Sequence, residues 1–294
     1  MRTAAYSPLR YPGGKQKIAD LVSLIIKKSA IEECVYIEPF AGGAGIALKL
    51  LLSGQVSEIV INDFDRAIAS FWKAILNETD DFLELIEKTP VTIEEWYKQK
   101  EIYCHATHYS LKYGFATFFL NRTNHSGILS SGPIGGFLQK KSQWSIGVRY
   151  NKANLINRIQ LIAKKKNKIH CYNKDILSFI DRYLPIYQEK GFVYFDPPYF
   201  FNGKRLYKNF FTPEYHKTVA QKIFTKVHCD WIVSYDDVAE VRRLYEAFPA
   251  KHFCLSYSLA NKGEGHEVMF FKEAYLCPSM DELDESKIKI SVWE

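Results

Sequence analysis

The strongest constraint on the fold of this chain is a repeated pairing, in which a short β-rich apolar run stops at carboxylates or glycines and a stretch with helical spacing follows. "CVYIEPF" (34–40) stops at a glycine cluster and gives way to "IALKLLLSG". "EIVINDFD" (58–65) ends in acids and leads into a helix from about Arg66 to Asn77. "GFVYFD" (191–196) and "DWIVSYDD" (230–237) are two more such runs, separated by the amphipathic "PEYHKTVAQKIFTKV". Strands that alternate with helices predict an α/β fold, a mostly parallel sheet covered on both faces. Parallel strands share one direction, so three acidic ends and one glycine end fall on a single rim, where ligands of such sheets bind.

At 294 residues, 47% hydrophobic and 24% charged, the chain can bury a full core as one large domain or two unequal ones. It has no apolar stretch of membrane-spanning length, and its first residues, MRTAAYSPLRYPGGK, lack the apolar segment of a signal peptide; no export and no membrane are expected. The six cysteines are scattered with no C-x-x-C pair, which suits reduced thiols in a cytosol. His105 and His108 lack a second ligand pair at metal-site spacing, so no metal is expected. Charge is distributed unevenly. From Ile102 to Lys174 there is no Asp or Glu but twelve Lys and Arg, while the rest of the chain sets 27 bases against all 33 acids. Solubility alone is served by mixed signs, so this segment reads as a polyanion-binding surface. Residues 113–121 read as a buried helix, 126–136 as a Gly and Ser-rich loop and Lys152–Lys164 as a helix. An inserted binding module is therefore expected at 78–168, flanked by a catalytic domain formed by 1–77 and 169–294.

The motifs point to chemistry at the rim. Gly42, Gly43 and Gly45 in "EPFAGGAG" let backbone approach a ligand, and amides at the following helix start offer donors. Asp63, 18 residues past Gly45, stands at the next strand end, where a carboxylate can accept the ribose hydroxyls of a nucleoside cofactor. G-x-G-x-x-G spacing and a P-loop are both absent, which disfavours nicotinamide dinucleotides and nucleoside triphosphates. Asp196-Pro197-Pro198-Tyr199 is the specific signal. Two prolines stiffen the turn and remove two backbone donors, leaving carbonyls free to accept. The Asp196 carboxylate and the Pro197 carbonyl can both accept from one amine, and Tyr199 offers a face for a planar ring. Holding both hydrogens turns the nitrogen lone pair out of conjugation, toward an electrophile.

"RYPGGK" (10–15), "EPFAGGAG" (38–45), "IND" (61–63) and "DPPY" (196–199) resemble, in sequence and in order, the motifs of the Dam-like (D12 class, α-group) DNA adenine-N6 methyltransferases. The resemblance spans about residues 6–275 and implies a Rossmann-like S-adenosylmethionine-dependent methyltransferase fold with an inserted DNA target-recognition domain. It implies transfer of a methyl group from S-adenosyl-L-methionine to the N6 amine of a flipped-out adenine in double-stranded DNA, directly and without a covalent enzyme intermediate. Tyr11 and Lys15 would then lie near the methionine end of the cofactor, Gly42 and Gly43 along its backbone, Asp63 at the ribose and Asp175 at the adenine amine, with Glu38, Phe40 and Asp196 also counted among the cofactor-binding residues. Bland alternatives are a solvated lysine for Lys15 and helix N-caps for Asp63 and Asp175, with Asp65 a rival ribose ligand. The resemblance further implies a monomer acting on DNA in a bacterial or phage-infected cytoplasm, and admits a cognate restriction endonuclease as a genetic partner. GATC-reading members carry Asn-Gly-Leu-x-Arg-x-Asn where this chain has 125–131, so GATC is not inferred. Asn121, Arg122, Asn124, His125, Gln139, Lys140, Lys141 and Arg149 are the candidates for DNA contact. The family's F-x-G-x-G form would also need glycine at Ala44. The alternatives are an amino-methyltransferase acting on RNA, cytosine or protein glutamine, and a catalytically silent DNA-binding protein.

Overall fold

The structure, a computed structural model, describes residues 6–10, 18–139, 143–200, 211–256, 264–288 and 291–293. The four apolar runs form β1 (Val35–Glu38), β2 (Glu58–Asn62), β4 (Gly191–Phe195) and β5 (Asp230–Asp236), and the described residues add β3 (Ile169–Tyr172), β6 (Ala250–Ser256), β7 (Glu264–Phe271) and β8 (Ser291–Trp293). They join one sheet in the order β3-β2-β1-β4-β5-β7-β6-β8. The first five are parallel, and β7 pairs antiparallel with β5 and β6. Strand order reverses between β1 and β4, which are hydrogen-bonded neighbours from Val35↔Gly191 to Ile37↔Val193. That reversal is where open α/β sheets bind ligands.

Period-two alternation assigns the strand residues to two cores. Tyr36, Ile59, Ile61, Phe192 and Tyr194 face one cluster, which also takes in α1 (Ala19–Ser29), α2 (Gly45–Leu52) and α3 (Arg66–Asn77). Val35, Ile37, Val60, Val193, Phe195 and Val233 face the other, against α8 (Ile176–Arg182) and the helix Pro213–Lys226. With both faces covered, the interiors of β1, β2, β4 and β5 are mostly apolar, which is why they read as nearly continuous runs.

The segment 78–168 forms α4 (Thr79–Lys88), α5 (Ile93–His105), α6 (Leu111–Thr123) and α7 (Lys152–Ala163). It does not pack as a separate unit. Phe82, Phe115, Phe118, Tyr150, Leu155, Ile159 and Ile162 belong to the same cluster as Phe71 and Trp72 of α3, and Phe71 stacks on Phe118 with centroids 5.9 Å apart. The boundary drawn at residue 78 is thus a boundary in composition and not in packing. Close approach of α6 to α3 depends on Gly114, where an added Cβ would lie 2.6 Å from the Ser70 carbonyl oxygen and 2.8 Å from Ala74 Cβ. Gly114→Ala is therefore expected to destabilise the protein by about 1–3 kcal/mol through overpacking, although alanine is the better helix former. Urea unfolding of the variant measures it.

Candidate active site

The carboxyl ends of β1, β2, β4 and β5 assemble the site on one rim. At the end of β1, Gly42 and Ala44 both adopt left-handed backbone (φ 47° and 46°). Ala44, where the family form calls for glycine, adopts the left-handed conformation that favours glycine. The turn is tied down from three sides. Gly42 N–H donates to Asp63 Oδ2 at 2.8 Å, Trp72 Nε1 donates to the Gly42 carbonyl at 2.9 Å, and Ala47 N–H donates to Glu38 Oε1 at 3.1 Å. Those two amides are committed within the protein, which narrows the expectation that amides here serve a ligand; the turn offers close backbone approach instead.

Glu38 is buried, and Tyr36 also donates to its Oε1, at 3.0 Å. Burial pushes the carboxyl up to about 8, the charge of Asp196 adds to the rise, and the bonds from Tyr36 and Ala47 oppose it. A raised carboxyl pKa means that the folded state holds a proton the unfolded chain has lost. The stability it brings is complete below the ordinary 4.5 and disappears as pH rises through about 8. Asp63, pushed to about 7 by burial and then by Asp65, acts with the same sign from 3.8 upward. The melting temperature is expected to fall across this window in the wild type and to fall less in Glu38→Gln, as calorimetry at several pH values would record.

Asp63 accepts Gly42 N–H on one oxygen and Asp65 N–H on the other, at 2.8 Å each. A carboxylate has about four lone-pair positions, so acceptor capacity remains for two further donors. The helix cap belongs to Asp65, which accepts Ala67 N–H at 2.9 Å. Next to Asp63 stands Phe64, 58% exposed, an aromatic face on the rim that the sequence reading passed over. Asn173 fixes this corner by donating to the Asp63 and Phe64 carbonyls. Asp175 caps α8, accepting Ser178 N–H at 2.9 Å; burial raises its carboxyl but the Ser178 bonds outweigh it and bring it below the usual range.

Asp196 follows β4 directly, across the strand reversal from the glycine turn. Ser234 Oγ lies 3.3 Å from Asp196 Oδ1 and 2.7 Å from the Tyr194 hydroxyl, so β5 and β4 together orient the carboxylate. Pro197 is buried and Pro198 half-buried. The Tyr199 hydroxyl donates to Glu267 Oε1 at 2.8 Å, and Phe200 N–H to Asp236 Oδ1 at 2.9 Å. Phe40 meets Phe211 edge to face at 5.9 Å. Ser234 and Glu267 escaped the sequence reading; the available signal was a polar residue directly against the apolar runs of β5 and β7.

The expected DNA contacts separate on inspection. Asn121 and Asn124, 1% and 0% exposed, are corrected to structural residues. Asn121 accepts from Arg10 N–H and donates to the Arg10 and Gly127 carbonyls, while Asn124 accepts from Trp96 Nε1 and donates to the Ile128 and Leu129 carbonyls. Both have spent their groups within the protein. Gln139 likewise bridges Ile134, Gly136 and Ile146 within its own loop. Arg122 donates to the Arg149 carbonyl, and burial pushes its guanidinium down to about 9, with Arg10, Arg158 and Arg149 adding to the shift. His125 and Arg149 are exposed. Tyr11, Lys15, Lys140 and Lys141 lie outside the described residues. Lys164, Lys165, Lys166 and Lys168 are exposed but precede β3, and Lys168 bonds the Ser57 carbonyl ahead of β2. They stand at the amino ends of the strands, opposite the catalytic rim. Among the described residues no His, Cys, Asp and Glu cluster could hold a metal ion, and no helix is long and apolar enough to cross a membrane.

A parallel sheet with a glycine turn after β1, an acid after β2 and Asp-Pro-Pro-Tyr after β4 defines a methyltransferase. A sequence model of the D12 class N6 adenine-specific DNA methyltransferases matches residues 11–258, and the chain belongs to that family; its reaction is DNA adenine methylation. It is similar to the Type II methyltransferase M.MjaIII of Methanocaldococcus jannaschii, 27% identical over 210 residues that cover 65% of this chain and 68% of that protein. Among solved structures, the rRNA methyltransferase aviRa from Streptomyces viridochromogenes aligns over 87% of this chain and 86% of its own, at 12% identity and a TM-score of 0.38.

Proposed function

We propose that this protein methylates the N6 amine of an adenine flipped out of double-stranded DNA, with S-adenosylmethionine as donor, at a specific sequence read by the segment 78–168. The observation that carries this reading is the placement of Asp196 and the glycine turn on neighbouring strands β4 and β1, at the reversal of strand order. The residues fit the cofactor. Asp63 keeps acceptor capacity for two ribose hydroxyls, Phe64 offers a face for a purine ring, and the left-handed turn at Gly42 brings backbone alongside. Tyr11 and Lys15 are assigned to the methionine end from their motif alone. When bound, S-adenosylmethionine supplies an electrophilic methyl group.

The remaining work belongs to the protein. A duplex hides the target amine, so the base is unstacked at a cost of a few kcal/mol and received against the Tyr199 ring. Asp196 and the Pro197 carbonyl accept its two amine hydrogens and aim the lone pair, and Ser234 holds the Asp196 carboxylate in that orientation. No general base is required if the proton leaves after transfer, so catalysis rests on positioning and fixed electrostatics. Arg10, Arg122, Arg149 and Arg158 form a cationic cluster suited to backbone phosphates. The test offers unmodified double-stranded DNA and ribosomal RNA together as acceptors of a labelled methyl group. Label is expected in the DNA, and label confined to the RNA overturns the reading.

A further inference from the structure

We infer that Glu267 is a positioning residue for methyl transfer, acting through the hydroxyl of Tyr199. The inference rests on the reading of Tyr199 as the platform for the target base. Glu267 lies on β7 and is 1% exposed, so it cannot itself reach a base seated on that ring. It meets the catalytic turn through the 2.8 Å bond that the Tyr199 hydroxyl donates to its Oε1.

Energetics mark the residue as more than filler. Glu267 is followed by Val268, Met269, Phe270 and Phe271, all buried, and a carboxylate in such a place is costly to bury. Its register partner across the antiparallel pair is Asp236, a second carboxylate, and like charges directly opposite each other weaken a sheet. Both acids are nevertheless engaged with consecutive residues of one loop: Glu267 takes the Tyr199 hydroxyl and Asp236 takes the Phe200 amide. Two residues back on β5, Ser234 faces the same way and meets Asp196. Thus β5 and β7 present three polar groups in register to the catalytic turn. A tyrosine ring turns about two side-chain torsions, and anchoring its hydroxyl to a sheet fixes the plane on which a base stacks.

The experiment is a double-mutant cycle on the full chain, with unmodified plasmid DNA as acceptor. It compares wild type, Tyr199→Phe, Glu267→Ala, the double variant and Glu267→Gln. The readouts are kcat at saturating DNA and S-adenosylmethionine affinity by calorimetry. Tyr199→Phe and Glu267→Ala are each expected to lower kcat by about tenfold or more, since small misplacements at a reacting centre are expensive, with cofactor affinity unchanged. The double variant should be no slower than either single one, and Glu267→Gln, which keeps an acceptor for the hydroxyl, should recover most of the rate. If Glu267→Ala costs as much in the Tyr199→Phe background as in the wild type, or weakens cofactor binding without changing kcat, the inference is overturned while adenine methylation stands. A wild type that transfers no methyl group to DNA overturns the functional reading and this inference together.

Discussion

Asp196→Ala is expected to lower the rate of methyl transfer by about 1,000-fold, the scale on which loss of a preorganised polar group acts at a reacting centre. On the proposed mechanism the substitution removes one of the two acceptors that turn the amine lone pair toward the methyl group. It also leaves Ser234 and Tyr194 without the carboxylate they orient. Because the lost interaction matters most as the nitrogen rehybridises, the effect falls on kcat, while cofactor affinity shifts by less than about tenfold. Asp196→Asn keeps one acceptor oxygen and is expected to fall between wild type and alanine. Initial rates at saturating DNA, with calorimetry for the cofactor, separate these effects.

Asp63→Ala is expected to weaken cofactor binding by about 100-fold, since the two proposed hydrogen bonds from ribose hydroxyls to a charged acceptor would be lost at once. The glycine turn loses one of its three ties as well, because Gly42 N–H is left without the Asp63 oxygen. The affinity of the wild type carries a pH signature. Only the ionised carboxylate accepts from both hydroxyls, and burial together with Asp65 holds the Asp63 pKa near 7. Affinity therefore weakens as pH falls below about 7, and Asp63→Asn, though weaker, loses that dependence. Titrations with S-adenosylmethionine at several pH values give both results.

How much of this was legible in the sequence follows from what is local. The strands β1, β2, β4 and β5 are buried on both faces, so their apolar runs announced themselves and their direction placed the acids on one rim. The Asp-Pro-Pro-Tyr turn was legible because two prolines restrict the chain with no help from the rest of the fold. Other features depend on distant partners. β3 has three half-buried residues and follows a lysine run, so it lacks the pattern of a covered strand. Ser234 and Glu267 acquire their meaning from the register of β5 on β7, which no local pattern displays. Asn121 and Asn124 look like surface polar residues in a basic segment, yet each satisfies irregular backbone around it and is buried for that reason. The lysines at 164–168 count toward the charge of the segment, but chain direction carries them to the wrong end of the sheet.

The central claim is that Asp196 and its turn make an adenine amine in DNA nucleophilic. The most direct measurement incubates the protein with S-adenosylmethionine and unmodified genomic DNA, then identifies the modified nucleoside by mass spectrometry and maps it by single-molecule sequencing. N6-methyladenine confined to one short sequence, and absent when Asp196→Ala replaces the wild type, is the predicted result. Methylation of cytosine, or adenine methylation that persists in the Asp196→Ala protein, would contradict it.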